Sequence, residues 1–377
     1  MSEIPSVRAV PVQMIRSPRF AVSYPDVRNI ELIEPGARSA MEASWGRQGF
    51  DERQIEVFHL RDVIAVDECL VLNQEMQVIE NVSDHYTIEE YQHAVEVTQR
   101  TRKEGKIPIL DGINVMARRR AAGNYGHFLI EMLPMAGVAR RIYGDQIRRY
   151  LLHRAEPPML DANLRAFRLA GITPDRLVIT GFREPVFCRE LVIVRGLTVH
   201  GSYMSALAPE HADAWAESVY PSVGAERRLF VLRRPGWGRG RELENEQDIA
   251  DRLQRRGYRV IEPGVMPLEE QIAAFRGVDH VVGTMGAAMT NIVFCRPGTR
   301  ITMLAPAHFP DVFFWLIAGH RNLRYEEVRG PQRQVEGRQL WEGPFTIAEQ
   351  DIRWIEQLYP APSWSSLDVR RYRLVPL

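Results

Sequence analysis

His127 and Glu131 stand four residues apart behind Asn124 in the run Gly123-Asn124-Tyr125-Gly126-His127, and on a helix that spacing puts both on one face. A carboxylate beside an imidazole can accept a proton from a hydroxyl, while the histidine binds the same substrate or orients the carboxylate. Residue 128 is Phe, so the HExxH pattern of zinc peptidases is absent. The plainer alternative is a helix start capped by Asn124, with His127 satisfied locally. A second group, Gly283, Thr284, Met285, Gly286, Ala287, Ala288, Thr290 and Asn291, follows an apolar stretch. Small residues at a strand-to-helix turn can present backbone N–H groups to a pyrophosphate, with the threonine hydroxyls as further donors. The group matches neither the dinucleotide glycine fingerprint nor the P-loop, and its small residues also suit a merely close-packed turn. Between Arg227 and Arg241 lie six arginines; Arg233, Arg234, Arg239 and Arg241 can neutralise charge on a departing diphosphate. Beyond Asn245, Glu246 or the nearby Glu242 can accept from ribose hydroxyls. Glu270, beside Glu269, opens a helix where an acid also simply favours the dipole.

These residues must be held by elements, and the pattern supplies them. Ile88 to Arg100 and Leu160 to Ala170 carry helical spacing, the second ending at Gly171. Ile107 to Val115 suggests a strand despite Pro108 and the Asp111-Gly112 pair. Tyr150 to Leu152 and Leu191 to Val194 read as strands. Residues 225–325 alternate more clearly. Strands are expected at Arg228 to Leu232, Tyr258 to Ile261, His280 to Val282 and Arg300 to Leu304. Helices fall at Glu246 to Arg256 and Leu268 to Phe275, and Asn291 to Phe294 opens another. Such alternation predicts an α/β class with a parallel sheet covered on both faces. Residues 1–215 form one unit with a β-rich opening to about 106, and 225–345 form the second. Residues 346–377 form a tail, helical to Leu358, expected to pack back on the first unit.

Composition bounds the partners. At 377 residues the chain suits two domains, and 45 % hydrophobic with 25 % charged residues is globular. Acidic and basic residues balance at 48 each, which leaves no global field to gather a nucleic acid. Cys69, Cys188 and Cys295 lie far apart with no histidines at ligand spacing, which suggests three reduced thiols and no metal. No stretch approaches the roughly 20 apolar residues of a spanning helix, and no signal-peptide core opens the chain. The expectation is a cytoplasmic protein that can still touch the inner membrane peripherally, and that can self-associate.

Three segments together resemble the family 61 glycosyltransferases, formerly grouped as a domain of unknown function. GNYGHFLIEMLP, residues 123–134, is similar to the family segment in which Asn, His and an acid recur at this spacing. VLRRPGWGRGRELENE, residues 231–246, resembles its arginine-rich strand and loop. Residues 269–298 resemble its stretch from Glu-Gln through a His-Gly-Ala-Gly-Leu-Thr-Asn signature to Pro-Gly. The likeness spans roughly residues 60–310. Met285 stands at the signature histidine, Ala288 at its second glycine, and Met303 where the family often has Glu.

The resemblance implies a GT-B-like fold, in which two Rossmann-like domains face each other across a cleft, the first on the acceptor side and the second holding the nucleotide. It implies an inverting transferase of bacterial surface-polysaccharide or glycoconjugate type, with catalytic positions at Glu131 and His127 and no obligatory metal. The donor is a nucleotide sugar acting as co-substrate, with a UDP-sugar favoured. The acceptor is a hydroxyl on a glycan, a lipid-linked sugar, a protein or a small molecule. Three other readings stay open: a non-catalytic glycan- or partner-binding descendant, motivated by Met285 and Met303; an epimerase-like nucleotide-sugar enzyme; and, disfavoured by its missing fingerprint, a nicotinamide oxidoreductase.

Overall fold

The computed structural model describes residues 4–84, 86–219, 227–233 and 240–358. Its core is built on two large sheets. The first has nine strands and is mixed. Val186–Arg195, Ile109–Met116, Ile147–His153 and Leu177–Thr180 lie side by side and parallel. The long strand Arg53–Val66 runs antiparallel to Val186–Arg195 and links them to the short strands of the opening segment. Asp111-Gly112 is accommodated inside Ile109–Met116 because Gly112 takes φ +71° and the pairing slips a residue there, as a bulge does. Two smaller two-stranded pairings complete the β-structure.

The second sheet is wholly parallel, ordered Arg259–Ile261, Arg228–Val231, His280–Thr284, Arg300–Pro306, Arg324–Gly330 and Asp26–Arg28. The helices Glu246–Arg255 and Leu268–Arg276 connect its first strands, and Phe313–His320 joins Arg300–Pro306 to Arg324–Gly330. The alternation expected for 225–325 is thus present as a mixed α/β fold. Two of its members escape the sequence pattern. Arg324–Gly330 reads as polar, yet all but its first residue are buried. Asp26–Arg28 comes from the opening segment and closes the far edge of this sheet.

Local chemistry explains the helix ends. Ile88–Lys103 starts with a reciprocal capping box between Thr87 and Glu90. Pro157–Leu169 starts on proline and gives way to Gly171 at φ +70°. The stretch Ala287–Phe294, expected to open a helix from Asn291, is a 3₁₀ helix throughout.

The tail helix is Glu349–Leu358, and it does not return to the first sheet. Ile352 and Ile355 pack with Phe230, Ile249, Leu253 and Val282 on the second. Arg252 donates to Glu349 and Glu356, while Arg28 and Asn29 donate to buried Asp351. The amphipathic face finds its apolar partner on the neighbouring helix Glu246–Arg255, while its polar contacts reach Arg28 and Asn29 within residues 1–215. Residues 359–377 lie outside the described set.

The largest apolar cluster is continuous across both sheets, with Phe128 and Leu129 from one side and Met289, Ile292 and Phe313 from the other. Among the described residues no helix is long and apolar enough to cross a membrane.

Candidate active site

His127 and Glu131 sit where the chain leaves the strand Ile109–Met116 and begins the helix Leu133–Tyr143. Asn124 caps the start, its side chain accepting from Gly126 N at 2.9 Å. The turn Phe128–Met132 is a π-helix, with Leu133 N bonded to Phe128 O. Pro134 explains it: proline has no N–H to return to Ile130, so the ladder skips a residue. The wide turn lies on Glu131 itself.

Glu131 is nearly buried and is met from three sides. His127 Nδ1 lies 3.2 Å from Oε1, off the hydrogen-bond axis. His200 Nδ1 is hydrogen-bonded to the same oxygen at 3.4 Å. Arg119 Nη1 stands 3.8 Å from Oε2. Burial pushes the Glu131 carboxyl up, but the two imidazoles beside it, His127 and His200, with the Arg119 charge behind them, outweigh it and hold the group at about 2. The same hydrogen bond raises the His200 imidazole, with burial opposing. Arg119 is itself anchored on Asp84 at 3.3 Å and on Thr198 Oγ1 at 3.3 Å. Asp84 also accepts from Arg195 at 2.6 Å and from Arg120 N at 2.9 Å.

Ligand-type atoms of His127, Glu131 and His200 lie within 4.8 Å of one another, a spacing that a cation can bridge. Arg119 already supplies positive charge to the carboxylate and opposes a second cation there. The arrangement is an ion-paired cluster of two imidazoles and a carboxylate, groups that can hold a proton or a cation.

The 3₁₀ helix that follows the glycine turn meets the helix start that carries His127. Tyr125 Oη donates to Asn291 Oδ1 at 2.7 Å, and Asn291 Nδ2 donates to Gln271 Oε1 at 2.8 Å and Ala288 O at 3.0 Å. A Cβ on Gly126 would stand 2.8 Å from Thr290 Oγ1, so only glycine permits the approach. Gly283 is equally constrained, since its Cβ would fall 2.4 Å from Met289 Sδ. Thr284 Oγ1 donates to Glu246 Oε1 at 2.5 Å, and the same oxygen accepts from Arg233 N at 3.1 Å. Burial raises the Glu246 carboxyl, with these two donors opposing.

Gly286, Ala287 and Ala288 keep some exposure, while Met285 is fully buried. The position where the resemblance places histidine therefore faces the core, as does Met303. His280, hydrogen-bonded to Tyr258 at 2.7 Å and Thr302 at 2.8 Å, is also sealed inside the sheet.

The remaining expected residues divide. Arg233 lies against Gly286, but its guanidinium donates to the carbonyls of Gly240, Arg241 and Met285, each at 3.1 Å. It pins the loop as it stands. Arg241 lies over the Phe309 ring at 3.8 Å, with Nε buried and without a hydrogen-bond partner among the described residues. Asn245 is tied in both directions to Ile347, with Nδ2 donating at 2.9 Å and Oδ1 accepting at 3.1 Å. Glu270 is exposed on the first turn of Leu268–Arg276. Arg234 and Arg239 lie outside the described residues.

Sequence reasoning did not find His200 or Arg119. His200 sits on the tight turn between Thr198–Val199 and Tyr203–Met204. Only the His-Gly step between two short β runs could have flagged it, and nothing in that step points to a residue 69 positions earlier.

The glycosyltransferase 61 family model matches residues 125–302. No curated protein matches the chain. Among solved structures, the iron-containing dodecameric glycosyltransferase TibC from enterotoxigenic E. coli is similar at 10 % identity, over 82 % of this chain and 83 % of that one, with a TM-score of 0.26. That likeness is too slight to carry any chemistry across. The matched segment opens on Tyr125, holds both His127 and Glu131, and ends past the glycine turn; over residues 125–302 this chain belongs to the glycosyltransferase 61 family.

Proposed function

We propose that the chain transfers a sugar from a nucleoside-diphosphate donor to a hydroxyl acceptor with inversion at the anomeric carbon. The observation that carries this is the contact between the two motifs: Tyr125 bonds Asn291 and Gly126 abuts Thr290, so the proton-handling cluster faces the phosphate-type turn. The two sheets act as the two halves of a GT-B-like cleft, with the acceptor near Glu131 and the donor diphosphate at Gly286 to Ala288. The hydroxyl loses its proton to the Glu131–histidine cluster as it attacks the anomeric carbon. Arg241 and the backbone amides of the turn stabilise the departing diphosphate. No step in this reading calls for a metal.

The test is Glu131→Gln with a panel of nucleotide sugars, UDP-sugars first. Transfer is expected to fall by about 10²–10⁴-fold while donor binding, read by calorimetry, stays within twofold. Near-wild-type transfer in this variant would remove Glu131 from the reaction. Isomerised donor without an enlarged acceptor would favour the epimerase-like reading instead.

A further inference from the structure

We propose that the atom receiving the acceptor proton is Nε2 of His200, and that Glu131 is the residue that positions it. This rests on the transfer reaction proposed above. The two histidines differ in a decisive way. His200 Nδ1 makes a hydrogen bond to Glu131 Oε1, whereas His127 Nδ1 approaches the same oxygen off axis. A bond through Nδ1–H fixes the tautomer and leaves the Nε2 lone pair free, the relation of carboxylate, imidazole and hydroxyl that activates nucleophiles elsewhere.

Accessibility points the same way. The His200 side chain is 54 % exposed and that of Glu131 only 5 %. A hydroxyl can reach the imidazole where the carboxylate is covered. The ring also stands at the junction of the two motifs, 4.7 Å from the His127 ring and 6.0 Å from that of Phe313, which packs against Gly126. Arg119 locks the geometry, since one nitrogen serves both Thr198 on the His200 turn and Glu131.

The charged groups around the ring are Glu131 and Asp311, which raise its basicity, and Arg119, which lowers it, as does burial; His127 faces it across the cluster. Glu131, held at about 2, is a poor base near neutrality. In the step, the acceptor oxygen bonds to the anomeric carbon. The bond from that carbon to the diphosphate oxygen breaks, and its electron pair leaves with the diphosphate. The hydroxyl proton passes to Nε2, and the resulting imidazolium keeps Nδ1–H on Glu131 until the exposed ring releases the proton to water.

The experiment is nitrogen-detected NMR of the full chain across pH, with the His200 ring assigned through His200→Gln. Neutral His200 is expected to carry its proton on Nδ1 and to titrate above about 6.5, the free value, falling by at least half a unit in Glu131→Gln. An Nε2–H tautomer, or titration unmoved by Glu131→Gln, would overturn the proposal whether or not a donor is known. In turnover assays, His200→Gln is expected to lower kcat by about 10²–10⁴-fold with both KM values within threefold, and to remove the acid limb of the pH–rate profile. Added imidazole is expected to restore part of the rate to His200→Gly. If the wild type transfers and His200→Gln keeps its kcat and acid limb, the base assignment fails and the transfer reading stands. If the wild type transfers from no donor, the transfer reading fails and the tautomer decides the pair alone.

Discussion

At the scale of single residues, the glycine turn depends on one shared oxygen. Glu246 Oε1 accepts both from Thr284 Oγ1 and from Arg233 N, which ties the strand His280–Thr284 to the end of Arg228–Val231. Thr284→Val keeps the shape and removes the hydroxyl, leaving a half-buried carboxylate short of a donor. The expected cost is about 1–3 kcal/mol in unfolding free energy, with weaker nucleoside diphosphate binding, both read by denaturant titration and calorimetry. Unchanged binding with the stability lost would make the bond purely architectural. The motif residues His127, Glu131, Thr284 and Asn291 were legible from spacing and type. What Arg233 does was not. Its charge invites a phosphate, yet its donors meet three carbonyls, because the chain brings Gly240, Arg241 and Met285 within reach of one guanidinium.

At the scale of elements, the decisive contact is between the helix start at Tyr125–His127 and the 3₁₀ helix Ala287–Phe294. Gly126→Ala puts a methyl 2.8 Å from the oxygen of Thr290, which is fully buried and cannot swing away. The two motifs are expected to separate by a fraction of an ångström, lowering kcat by about 10–100-fold, with about 1–3 kcal/mol lost from stability. The double variant Gly126→Ala/Thr290→Ala is expected to recover most of both. Gly123→Ala, with nothing within 4 Å of its Cβ, is expected to change neither. An undiminished rate in Gly126→Ala would show that this approach does not set catalytic geometry. The strand Arg324–Gly330 teaches the reverse lesson about legibility. Its sequence alternates neither cleanly nor apolarly, yet it lies inside the sheet. Arg329 Nε donates to Glu327 at 2.7 Å, Tyr325 to Glu327 at 2.8 Å, and Arg300 to Glu326 at 2.7 Å, so the charges are cancelled by partners that composition cannot name. Arg329 also holds the carbonyls of Pro306 and Phe309, which sets the loop under Arg241.

At the scale of the whole molecule, burial of neutral histidines ties stability to pH. Burial pushes His153, His211 and His320 down to about 4 and His280 to about 3. The unfolded chain binds these protons more readily, so the stability they contribute is fully present above about 6.5 and is lost as pH falls toward the folded values. Each contributes on the order of 1–3 kcal/mol, and the urea midpoint is expected to drop steeply between about pH 6.5 and 4. Glu131, lowered, adds to the loss below about 4.5, whereas His200, raised, contributes stability only on the acid side and softens the slope. A flat midpoint from pH 7 to 5 would show that these imidazoles do not govern acid unfolding. The sequence by itself determined the local grammar: the alternation of strand and helix over 225–325, the capped helix starts, the imidazole and carboxylate on one turn, and the family likeness, because each follows from neighbours a few residues apart. Only the tertiary structure decided that Asp26–Arg28 completes the second sheet, that the helix Glu349–Leu358 packs on that sheet, and that His200 and Arg119 close around Glu131. Those outcomes depend on which distant groups end up adjacent after burial, where the low dielectric makes pairing compulsory, and no local spacing encodes that adjacency.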